Sequence, residues 1–144
     1  MAETTGPRSI VVDSSFLIAY HNTRDVHHAA AARAMAPMVA GRWGRVVLLE
    51  YVFLEVVTVL LARRGRDLAL RVGEALLNAR EVDFLPCSDL FGETLKTFRS
   101  GSDRGLSFTD CAIVAAARRA RPGLVATFDR GFSGIEGIEV VPQG

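Results

Sequence analysis

The sequence predicts an α/β domain, with a mostly parallel central sheet of four to five strands and helices on both faces. Three observations predict it. Short β-branched runs alternate with helical segments that are too long for hairpin connections, so the strands must join by crossovers. The length of 144 residues suits one core and leaves little room for two, so residues 1–144 read as a single domain. Hydrophobic residues make up 49% and charged residues 23%, a balance that excludes a disordered or collagen-like chain.

Each element has a local reason. Ser9–Val12 is a β-branched run that reads as a buried strand, ended by Asp13. Ser14 or Ser15 can cap a short helix through residues 16–20. After a turn, Asp25 caps an Ala-rich helix from Val26 to about Met38. A loop from Gly41 to Arg45 holds the single Trp43, and Val46–Leu49 is the second strand. Glu50–Arg64 is a strong helix stopped by Gly65. Asp67 caps the next helix, Leu68–Asn78, and Val82–Leu85 is a third strand closed by Pro86. Ser88 caps a helix over Asp89–Phe98, and Ser107 or Thr109 opens another that runs to about Ala120. Leu124–Thr127 is the fourth strand, and Ile138–Val141 is a late edge strand. Ligands of such sheets bind beyond the carboxyl ends of the strands, and Asp13 and Asp129 fall there.

Composition narrows the function classes. The formal net charge is +1, which argues against a polybasic binder that relies on bulk positive charge. Sixteen of the 17 basic residues are Arg, with Lys96 the exception. Cys87 and Cys111 have no CxxC or zinc-finger spacing, so they read as reduced core thiols. Met1–Arg8 has no apolar signal stretch, and the longest apolar run, Val46–Ala62, contains Glu50 and Glu55. A cytoplasmic protein without a membrane segment is expected.

Four carboxylates stand in unusual places. Apolar neighbours go all the way round the helix at Glu55, which predicts a largely buried helix and a carboxylate that is paired, protonated or held by a metal. A salt bridge to an arginine, or a place at the edge of the helix, is an equal reading of Glu55 alone. Asp110 opens the apolar run Cys111–Ala117, where a capping box with Ser107 explains it as well. Asp13 can be a helix cap and Asp129 a turn residue. Together they set two acids at strand ends and two on helices that pack on the same sheet. Such a cluster without bases repels itself. Mg²⁺, or Mn²⁺ in its place, would offset that charge through oxygen ligands.

Four segments carry a resemblance to a known family. They are Val11–Ser15, Glu50–Leu60, Gly105–Cys111 and Ala126–Phe132. In order, and over nearly the whole chain, they resemble the motifs of PIN-domain nucleases, and most of all the VapC toxins of prokaryotic toxin–antitoxin pairs. The resemblance implies that Asp13, Glu55, Asp110 and Asp129 are catalytic, metal-binding acids, with Thr127 and Ser15 as supporting hydroxyls. Glu50 stands where related sequences often carry Asp, and is expected to cap its helix. His27 reads as structural or substrate-adjacent. The implied activity is Mg²⁺- or Mn²⁺-dependent RNA hydrolysis that leaves a 5′-phosphate, with a metal-activated water as nucleophile. The implied partners are an RNA substrate, a small antitoxin and a second copy of the chain.

Setting the four acids aside leaves 12 acidic residues against 17 basic ones, so RNA can lie on arginine-bearing rims. Arg24, Arg42, Arg45, Arg104 and Arg130 are the expected rim residues, and Trp43 can stack a base or equally serve the core or a dimer contact. Rival α/β chemistries lack their motifs. A haloacid-dehalogenase nucleophile pair needs an acid at Ser15, a receiver domain needs Lys after a late strand, and no GxGxxG or GxxxxGK[ST] occurs. A catalytically weak or inactive PIN-like protein that binds RNA or assembles with partners remains the alternative.

Overall fold

The computed structural model describes residues 8–101 and 105–143. Five strands form one parallel sheet: β1 (Ser9–Val12), β2 (Arg45–Leu49), β3 (Val82–Leu85), β4 (Gly123–Ala126) and β5 (Ile138–Val141). Their order is β3-β2-β1-β4-β5. Among the described residues six α-helices connect them: α1 (Ser14–His21), α2 (His28–Val39), α3 (Glu50–Arg64), α4 (Arg66–Asn78), α5 (Phe91–Ser100) and α6 (Phe108–Ala117). The expected fold class is borne out, with all five strands parallel.

The central strands explain their own position. Ile10, Val11 and Val12 of β1 are buried in succession, as are Leu124, Val125 and Ala126 of β4. A strand whose successive side chains are all buried has both faces covered, which is the habit of parallel sheets. The run Cys111–Ala117 is buried throughout α6, and its alanines let the helix lie close on β1 and β4. Helix α1 packs on α2 and α3, α3 on α4, and α5 on α6.

Several boundaries differ from the expected ones for local reasons. Asp25 does not cap the second helix. Its carboxylate accepts the His27 N–H at 2.8 Å, and helix α2 starts two residues later than expected, at His28. Cys87–Leu90 forms a separate 3-10 turn, so α5 begins at Phe91. Glu50 sits in the first turn of α3, but its side chain accepts the Cys87 N–H instead of capping the helix. Cys111 is buried, whereas Cys87 is only half-buried. Among the described residues no helix is long and apolar enough to cross a membrane.

Glycine at position 44 is required by a close approach. Its φ is +91°, and a Cβ there would lie 2.2 Å from the Arg8 carbonyl oxygen. That carbonyl also accepts the Arg45 N–H, so it cannot easily withdraw. Gly41 has a similar φ of +87° but open space around it. Gly41→Ala should therefore cost about 1 kcal/mol of left-handed strain, and Gly44→Ala at least about 1 kcal/mol more. Urea unfolding of both variants checks this, and equal losses would show that the Arg8 contact imposes no added cost.

Candidate active site

The chain builds β1, β2 and β3 outward to one side, then returns to place β4 on the other side of β1. The switch point therefore lies between β1 and β4, where ligands of open α/β sheets bind. The Asp13 N–H donates to the Ala126 carbonyl at 2.9 Å, which holds the two strand ends together at that point.

Asp13 is only 6% exposed. It occupies the N-cap position of α1, yet its side chain makes no cap bond. Thr127 Oγ1 donates to Asp13 Oδ2 at 2.7 Å, and Ser15 Oγ donates to the same oxygen at 2.8 Å. Each hydroxyl is itself oriented by the chain beyond β4. The Asp129 N–H donates to Thr127 Oγ1 at 2.9 Å, and the Phe128 N–H donates to Ser15 Oγ at 3.0 Å. Ser15 is thus no helix cap. The two hydroxyl oxygens also lie 3.1 Å apart, and since each has a single proton to give, donation to Asp13 leaves none for the other hydroxyl.

Asp110 combines two roles that the sequence set as rivals. The Asp110 N–H donates to Ser107 Oγ at 3.0 Å and the Ser107 N–H donates to Asp110 Oδ2 at 3.3 Å, a full capping box on α6. Asp110 is also half-buried and faces the other acids electrostatically. Asp129 is exposed, and its Oδ1 accepts the Gly131 N–H at 2.8 Å.

Glu55 is not buried, contrary to expectation. The inner stripe of α3 is Val52, Val56 and Leu60, spaced by four residues. Leu54 is 63% exposed, and Glu55 lies on the exposed side with it. The all-round apolar pattern hides a helix with one apolar face in the core and another left open.

One electrostatic neighbourhood joins the acids. Burial pushes the Asp13 carboxyl above its ordinary value, opposed by the Thr127 and Ser15 hydrogen bonds and reinforced by the charge of Asp110. Burial likewise raises Asp110, the Ser107 hydrogen bonds oppose it, and the charges of Asp129 and Glu55 add to the rise. Asp110 is thus the group through which all four interact. Among the described residues no three His, Cys, Asp or Glu side chains are drawn together into a cluster able to hold a metal. Asp110 and Asp129 each give an oxygen to a neighbouring backbone N–H. The donor set, all carboxylate oxygen, fits a hard divalent cation.

The arginines expected at the rim separate. Arg130 is exposed beside Asp129. Arg42 is exposed, with its guanidinium 5.5 Å from the centre of the Trp43 ring. Arg24 is exposed in the turn after α1. Arg45 is a correction: it opens β2 at the end of the strand away from the acids, and is held by Asp83 and the Arg80 carbonyl. Arg104 lies outside the described residues. Asn22 went unnoticed in the sequence. It is buried and accepts Arg64 Nη1 at 2.8 Å, tying the end of α1 to the end of α3.

The PIN domain family model matches residues 10–138. The chain belongs to the PIN domain family. Among solved PIN-fold structures it is similar to the toxin VapC20 of Mycobacterium tuberculosis, which cleaves the sarcin–ricin loop, at 27% identity with a TM-score of 0.69. The likeness covers 83% of this chain and 89% of that one, and it agrees with the VapC-type resemblance in the sequence. Comparison with curated protein sequences found no match.

A carboxyl whose folded pKa is raised binds its proton more tightly in the folded state, so ionisation destabilises the fold. That penalty is full above the folded pKa and disappears as pH falls through it toward the ordinary value of 3.8. In EDTA, Asp13→Asn should melt a few degrees higher than the parent protein at neutral pH, and the gap should narrow on acidification. Burial lowers the pKa of His21, which has the opposite sign, but it is common to both proteins and cancels in the difference. A variant that melts lower at neutral pH would make Asp13 chiefly a structural acceptor.

Proposed function

We propose that the protein is a divalent-metal-dependent endoribonuclease that hydrolyses RNA phosphodiester bonds as the toxin of a toxin–antitoxin pair. The observation that carries this reading is the PIN domain match over residues 10–138, with Asp13 buried at the switch point of the sheet and held by the Thr127 and Ser15 hydroxyls. The likeness to a toxin that cleaves the sarcin–ricin loop supports RNA as the substrate class.

In this reading Asp13, Glu55, Asp110 and Asp129 hold Mg²⁺, with Mn²⁺ as a substitute. A cation bound there supplies Lewis-acid activation of water and neutralises phosphate charge. The chain's own contribution is positional. Thr127 and Ser15 fix the Asp13 carboxylate, and the Phe128 and Asp129 N–H groups fix the two hydroxyls. Arg130 is placed to meet a phosphate beside Asp129. The protein acts in the cytoplasm with a small antitoxin and as a homodimer. Leu54 and Leu61 on α3, with Leu70 and Leu77 on α4, are all exposed, and they support a face covered by a partner.

The test is RNA cleavage by the purified protein with Mg²⁺, with Mn²⁺ and with EDTA. Cleavage with either metal and none with EDTA is expected, and equal cleavage in all three would overturn the metal mechanism. RNA binding without cleavage would favour the non-catalytic alternative. Asp13→Asn should reduce cleavage at least about a hundredfold. Because Glu55 is exposed, Glu55→Gln should change stability by less than about 0.5 kcal/mol, yet weaken Mn²⁺ affinity and reduce cleavage about tenfold or more. Melting curves and Mn²⁺ titration separate the effects, and unchanged Mn²⁺ affinity would remove Glu55 from the site.

A further inference from the structure

An open groove of about 1350 Å³ leaves the acidic end of the sheet and runs along α2. Thr127, Phe128, Asp129 and Arg130 line its near end, and Arg42 and Trp43 its far end. Between them α2 presents Ala30, Arg33, Ala34 and Pro37, a single helical face by spacing. The facing wall is the edge strand β5 with the chain after it.

Three rings are stacked at the near end. Phe16 is fully buried beneath Phe128, with ring centres 5.8 Å apart and planes 10° apart. Phe128 in turn lies under His27, at 4.5 Å and 4°. Burial falls along the stack, from core Phe16 through half-buried Phe128 to exposed His27. The His27 backbone is fixed by its N–H bond to Asp25 and by its carbonyl, which accepts the Ala31 N–H at 3.0 Å. An imidazole held flat on a core-anchored ring, with its other face toward a groove, is a platform for one more planar ring.

Charge points the same way. Arg8, Arg33, Arg42 and Arg130 line the groove against Asp129 and Glu139. Trp43, with the Arg42 guanidinium over it, supplies a second flat surface at the far end. The 12 residues of α2 span about 18 Å, on the order of five stacked nucleotides.

We infer that this groove is the track for a single-stranded stretch of RNA, with a base stacked on His27 next to the cleavage point and phosphates on Arg33 and Arg42. The inference rests on the ribonuclease reading and adds to it where the strand lies. Aromatic faces and arginines in alternation suit bases and phosphates together. Choice of base at the His27 station would then follow from stacking and from whatever edges the groove wall meets.

The experiment uses the full chain carrying Asp13→Asn, in EDTA, with a short fluorescein-labelled single-stranded RNA of mixed sequence. Fluorescence anisotropy gives its dissociation constant across a salt series. Adding His27→Ala should weaken binding about tenfold, while His27→Phe should stay within about twofold of the parent, because a ring remains to stack. Arg33→Ala should weaken binding and lower the salt slope by about 0.7, the value for one phosphate on a single strand. Arg71→Ala, exposed on α4 outside the groove, should change neither quantity. Melting temperatures confirm that each variant is folded.

Parent-like binding by both His27→Ala and Arg33→Ala would overturn the track and leave the groove to a protein segment. Equal losses in His27→Phe and His27→Ala would overturn the stacking role. If those results accompany metal-dependent cleavage by the unmodified protein, the track fails and the ribonuclease reading stands. If the groove variants weaken binding as expected but the unmodified protein cuts no RNA with Mg²⁺ or Mn²⁺, the track stands and the ribonuclease reading fails.

Discussion

A carboxylate set into the apolar end of a sheet must be compensated within reach of its own oxygens, and the arrangement at Asp13 follows from that constraint. Burial of an ion without partners is prohibitive. Here two hydroxyls donate to one oxygen, and each hydroxyl is oriented by a backbone N–H. The backbone just after β4 therefore governs a side chain that follows β1. That link works only because β1 and β4 are neighbours, held in parallel register with Val12 opposite Ala126. A change in strand order would separate the acid from its hydroxyls. The ring stack belongs to the same device, since Phe128 is itself one of the two N–H donors and its ring is seated on buried Phe16.

Helix α6 supplies the second acid under a different constraint. Its run from Cys111 to Ala117 is buried, and its half-buried first turn, which follows exposed Ser107, must satisfy its free N–H groups. The capping box with Ser107 does this, and it also fixes where the Asp110 carboxylate stands. Local helix chemistry and placement toward Asp13 are thus achieved by the same side chain. The two explanations that the sequence offered for Asp110 are compatible: the cap orients the group whose charge the other acids feel.

The fold was legible because its signals were local and repeated. The four-residue apolar runs and the intervening helices needed no long-range information, and Gly65 and Pro86 marked ends that hold. The site was partly legible. Asp13 and Asp129 follow strands, so topology alone sends them to one edge. Glu55 was misjudged because leucine and valine on the outer face of α3 read as core, although Leu54 and Leu61 are exposed. Hydropathy cannot tell a face covered by the chain itself from one left for something else. Arg45 was misplaced for a related reason: proximity in sequence to a loop does not say which end of a strand it occupies. The His27–Phe128–Phe16 stack joins residues more than one hundred positions apart, and no periodicity announces such a contact.

The distribution of charge explains why acids and arginines occupy adjoining regions. Burial and the charge of Asp110 raise the Asp13 carboxyl, and burial and the charges of Asp129 and Glu55 raise Asp110, while the groove beside them carries arginines in excess of acids. A polyanion approaching this surface is drawn to the groove and repelled by the negative charge of the carboxylates. Under the proposed function, a cation among the acids removes that repulsion, so cation and RNA assist each other's binding, with Asp129 at the boundary between their sites. The groove would then set the path of the strand, and the acids would set the one phosphate along it that reacts. Because the His27 ring and the Asp13 carboxylate both contact the chain just after β4, through Phe128 and Thr127, that short segment would set the distance between the base station and the reacting phosphate.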